Sequence, residues 1–88
     1  HSVLLAIACI ALSFGCFLVL GGATDRSITA QERVGRIMRG GLTESAGLIV
    51  WLIAWQQGAP AGFAMSVLIG SLMAGSLFGL MHGVLRSR

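Results

Sequence analysis

Three long apolar stretches separated by two polar ones dominate the chain. Residues 3–23 carry no charged side chain, and their length matches the roughly 20 residues a helix needs to cross the hydrocarbon of a bilayer. No basic region precedes them and the apolar run exceeds the usual 7 to 15 residues of a signal peptide, so they read as a retained first span. Residues 24–39 form a polar interlude. Within it Thr29-Ala30-Gln31-Glu32 has the form of a capping box, with Thr29 as N-cap. Val34, Ile37, Met38 and Leu42 then recur at helical spacing opposite Arg33 and Arg36, and Glu32 stands four residues before Arg36, the spacing of a helical ion pair.

The pattern therefore predicts a basic amphipathic segment over 24–39 that leads into a second span over 40–57, with Gly40-Gly41 as the place for a bend. A continuous rod from Thr29 to Gln57 is the alternative. Trp51 and Trp55 are expected as ring anchors at one membrane interface, opposite Arg39 at the other. Residues 56–62, containing the chain's one proline, Pro60, form a connection, and residues 63–85 are a third span closed by Arg86-Ser87-Arg88. The expected fold class is all-α: a single membrane domain with three transmembrane helices, the second preceded by an amphipathic interfacial segment.

Composition sharpens this picture. With 88 residues, 56% hydrophobic and 10% charged, the chain has too few polar side chains to coat a soluble domain of its size. The net charge of +3 arises from six arginines, and these are not spread over a surface. Arg26, Arg33, Arg36 and Arg39 precede the second span; Arg86 and Arg88 follow the third. With three crossings all six fall on one side, which the positive-inside rule assigns to the cytoplasm, with the N-terminus outside. The basicity is thus a topology and lipid-headgroup signal, and nucleic acid is not among the expected partners. Cys9 and Cys16 lie roughly 10 Å apart along one helix, beyond disulfide reach, and no Cys/His spacing points to a metal.

Four features are candidates for function. On the third span, Ser71, Gly75, Gly79 and Gly83 form a ladder of small residues at i+4 spacing, beside a second ladder of Gly62, Ser66, Gly70 and Ala74; such faces let helix backbones approach closely, within one chain or between chains. On the first span Ser2, Ala6, Cys9, Ser13 and Cys16 make a comparable stripe, with the Leu, Ile and Phe face left for lipid. Glu44 is an ionisable group inside a span, and its proximity to Gly40 favours an interfacial carboxylate about one turn deep. Finally, His82 stands between Gly79 and Gly83, where clearance for a flat macrocycle would permit haem or chlorophyll ligation, although nothing in the sequence requires a cofactor. Glu44 and His82 share a depth when measured from the arginine-rich ends; measured from the 56–62 turn, Glu44 falls near Gly75 instead.

No nucleophile with its base, phosphate-binding loop or metal-ligand cluster occurs, so the chain is not expected to be an enzyme. The leading expectation is a small accessory or structural subunit that packs against other membrane proteins in a larger complex. The alternative is self-assembly, as in a holin-like pore or a pilus-type filament, for which Arg33 and Arg36 would line a polar lumen; a third possibility is ion or proton translocation through Glu44.

Overall fold

A computed structural model describes residues 2–87. It consists of three helices: α1 (Ser2–Thr24), α2 (Ala30–Gln56) and α3 (Ala61–Arg86). Each is long and apolar enough to cross a membrane. At 1.5 Å per residue they measure about 35 to 40 Å, and the bundle extends 44 × 20 × 14 Å.

The boundaries follow from local chemistry. Thr29 caps α2, its hydroxyl accepting from Glu32 N at 3.2 Å, which satisfies one of the four amides a helix start leaves unpaired. From there α2 runs unbroken through Gly40-Gly41 to Gln56. The second helix is thus the continuous rod, and the separate 24–39 segment and the start at residue 40 are corrected: both glycines remain helical because α1 packs directly on Gly40. At the other end Gly58 adopts φ +98°, with Gly58 N bonded to the Trp55 carbonyl at 3.0 Å and Ala59 N to that of Ala54 at 3.3 Å. That pair of bonds is a Schellman motif, and its left-handed residue selects glycine. Pro60 then opens α3, where a missing N–H costs nothing.

α1 is the centre of the molecule, with α2 along one side and α3 along another, while α2 and α3 make few direct contacts. One of those few is supplied by Trp51, which is buried and donates its indole N–H to the Ala64 carbonyl at 2.8 Å. Around it Leu5, Ala8, Ala54, Ala59 and Ala64 close a small apolar cluster at the 57–60 end. Trp51 therefore faces inward, in place of the interfacial anchoring expected of it; Trp55, packed edge-on against it, stays exposed.

Candidate functional site

Glycine places α2 and α3 against α1 at backbone distance. On the α1–α2 seam, a Cβ added to Gly15 would lie 2.6 Å from Glu44 Oε2 and 2.9 Å from the Gly40 carbonyl, and one added to Gly40 would lie 2.7 Å from the Gly15 carbonyl. On the α1–α3 seam, a Cβ at Gly75 would fall 2.9 Å from that of Cys16, and one at Gly79 would fall 2.9 Å from the Phe17 carbonyl. Gly83 receives Thr24 and Gly21 in the same way. Ser71, also buried, continues this line, and Ser13 Oγ donates to its carbonyl at 3.3 Å.

The Ser71–Gly75–Gly79–Gly83 ladder is therefore spent inside the chain. A Cβ added at Gly62 or Gly70 of the neighbouring ladder would meet nothing within 4 Å beyond its own helix, and Ser66 is exposed. On α1 only the lower part of the expected stripe packs: Ser13 and Cys16 meet α3, whereas Ser2 and Ala6 are exposed and Leu5 and Leu12 are buried instead. The physical reason is that α1 is held from two sides, so its buried arc is wider than a single stripe.

Glu44 is half-buried in the α1–α2 seam, where its carboxylate fits over Gly15 and accepts from the Cys16 thiol at 3.4 Å. Because α2 begins at Ala30, Glu44 stands near the middle of the helix, not about one turn from its start. Arg36 packs on Gly22, and Gly15 is about 10 Å of helix away from that level. Cys16 touches both Glu44 and the Gly75 position, so Glu44 and Gly75 share a level along the bundle. His82, by contrast, packs tilted against Phe17 with ring centroids 5.2 Å apart, and no hydrogen bond or ion pair joins it to Glu44 among the described residues. Nor do Gly79 and Gly83 give His82 clearance for a flat macrocycle, since α1 fills the space over both.

The arginines converge on a residue not singled out in the sequence. Asp25, fully buried just after α1, accepts from Ser27 N at 2.8 Å and from the Ser27 hydroxyl through Oδ1. Its Oδ2 lies 3.6 Å from Arg36 Nη1 and 3.8 Å from Arg86 Nε. Arg33 Nη2 donates to its carbonyl at 3.0 Å. Arg36 thus turns to Asp25 and makes no ion pair with Glu32 among the described residues.

Nearby, Ser87 Oγ accepts from Arg26 N at 2.9 Å and stands within donating distance of the Thr24 and Gly83 carbonyls. This cap ties the end of α1, the start of α2 and the end of α3 together. The Ser27 hydrogen bonds hold the Asp25 carboxyl below its ordinary range, helped by Arg86 and Arg36. The signal available in the sequence was an acid directly after an apolar span with serine two residues on, the pattern of an Asx turn. Arg39 is exposed, and Arg88 lies outside the described residues.

The described residues contain no group of three or more His, Cys, Asp or Glu side chains able to hold a metal, and both cysteines are free. Comparison with protein-family models, curated proteins and solved structures found no match to this chain.

Proposed function

We propose that the chain is a non-catalytic integral membrane subunit that packs as a three-helix unit against larger membrane proteins of a multi-subunit assembly. The observation carrying this reading is the division of its polar groups. Those with chemistry are turned inward onto the chain's own helices, Glu44 to Cys16 and Asp25 to Arg36 and Arg86. The outer surface is lined by large apolar side chains such as Ile10, Phe14, Leu42, Ile49, Phe63 and Phe78. Water cannot solvate such a face cheaply, whereas lipid and apolar partners can.

Within that surface the open Gly62–Ser66–Gly70 stripe repeats the device by which α3 seats α1, and it is the natural contact for a neighbouring helix. All six arginines lie at one end of the sequence-predicted three-span arrangement, which supports an outside N-terminus and a cytoplasmic basic cap. Arg33 and Arg36 serve Asp25, which disfavours their use as the lining of a self-assembled pore.

Gentle detergent extraction of the native particle tests the proposal. Its mass and composition should show this chain with a fixed set of larger membrane proteins; a particle made of many copies of this chain alone would overturn it in favour of self-assembly.

A further inference from the structure

The outer α1–α3 seam combines two features that the packing role leaves unused. The first is an apolar groove of about 700 Å³ whose walls include Ile10, Phe14, Phe17, Ala74, Phe78 and Met81. The second is a smaller cavity of about 310 Å³, walled by Gly21 and Gly22 and reached by Arg36, His82 and Arg86. Both are lined by Phe17 and His82, so the groove and the cavity adjoin at that tilted aromatic pair.

The charge at the cavity is not balanced. Two guanidiniums, Arg36 and Arg86, face one carboxylate, Asp25, which leaves one net positive charge. Their distances to Asp25 Oδ2, 3.6 and 3.8 Å, exceed the roughly 2.7–2.9 Å of a charge-assisted hydrogen bond. Donors therefore remain for a further anion. His82 lines both the groove and the cavity, which sets its imidazole between the apolar walls and the two guanidiniums.

The geometry points to a binding site for one anionic phospholipid, with its phosphodiester between Arg36, Arg86 and His82 and one acyl chain along the α1–α3 groove. A phosphodiester carries the single negative charge the cavity lacks, and an acyl chain suits a groove walled by aromatic and aliphatic side chains. This inference rests on the membrane reading above. It also gives the basic cap a specific ligand in addition to the diffuse attraction every cytoplasmic arginine has for acidic lipid.

The full chain in detergent, titrated with phosphatidylglycerol, phosphatidylcholine or inorganic phosphate and read by native mass spectrometry, tests the site. One phosphatidylglycerol should remain bound under activation that strips phosphatidylcholine. Arg86→Ala should weaken it about tenfold, the scale of one lost charge-assisted contact, while Arg39→Ala, the same charge change on an exposed helix face, should alter it less than about twofold. His82→Ala and Ala74→Leu leave the Asp25 ion pairs in place, so each should weaken phosphatidylglycerol even where arginine variants unfold, with helicity followed by circular dichroism.

Equal retention of the two lipids, equal losses for Arg39→Ala and Arg86→Ala, or displacement of phosphatidylglycerol by inorganic phosphate would overturn the lipid site. Alkaline carbonate extraction separates the two levels. A chain that stays with the bilayer but shows no lipid preference refutes the site alone; a chain released by carbonate refutes the membrane reading and the site together.

Discussion

The two seams on α1 are built from the same residue type to different ends. Along α3, Gly75, Gly79 and Gly83 bring one helix backbone onto another, and the contact is almost wholly one of shape, with Ser13 and Ser71 adding a single hydrogen bond. Along α2, Gly15 and Gly40 also admit the opposing backbone, but Gly15 admits the Glu44 carboxylate as well. The first seam is a packing device. In the second, the same economy of space seats an ionisable group at a point of the seam where nothing larger than glycine would leave it room. Glycine content alone does not reveal which purpose applies; the residue opposite does.

The largest effect should come from the shape-only seam. Gly75→Leu forces a side chain onto the Ser13 carbonyl and Cys16, neither of which can retreat, and should destabilise the bundle by about 3 kcal/mol or more. Unfolding titrations in mixed micelles measure this, and Gly70→Leu, on the open ladder, should cost little in the same assay. If both substitutions cost the same, the assignment of the Gly75 ladder to an internal seam is wrong.

Gly40→Ala, which meets the Gly15 carbonyl and Val19, should follow at about 2 kcal/mol. Little of that cost can be relieved, because Val19 is β-branched and its backbone N also stands 2.9 Å from the added Cβ.

The cap that joins both seams gives a pH signature. Because the Asp25 carboxyl titrates lower in the folded chain than its ordinary value of 3.8, its contribution to stability is complete above that value. It is lost as pH falls through the lower folded pKa. Stability at neutral and mildly acidic pH should therefore be flat with respect to this group, with a decline below about pH 4 that Asp25→Asn removes. A decline centred near pH 6 that Asp25→Asn abolished would contradict the burial and hydrogen bonding described.

The smallest effect distinguishes structure from transport. Glu44→Gln keeps an acceptor for the Cys16 thiol and should change stability by less than about 1 kcal/mol, in keeping with the modest worth of polar contacts between helices in lipid. Proton flux into vesicles carrying the chain should be unchanged. Flux in the parent that Glu44→Gln abolishes would move Glu44 from the seam to a pathway.

Much of this was legible in the sequence because the relevant signals are local. The three apolar runs, the Thr29 cap and the Gly58-Ala59-Pro60 break all depend on residues close in the chain, and helices long and apolar enough to span a membrane formed at each run. What the sequence does not carry is which faces meet. The Ser71 ladder and the Ser66 ladder look equally suited to packing, yet only the first meets α1. Trp51 has the composition of an interfacial anchor, but Ala64 is opposite it and takes its indole N–H. Asp25 escaped notice because its importance comes from arginines eight or more residues away, brought together only when α1 is enclosed by α2 and α3.

The central claim, that the outer α3 stripe is a contact with another membrane protein, is tested most directly by photo-crosslinking from position 66 in native membranes. A photoreactive side chain in place of Ser66 should give one dominant adduct with a larger membrane protein in near-equal stoichiometry. A ladder of multiples of this chain's own mass, or adducts with lipid alone, would contradict it.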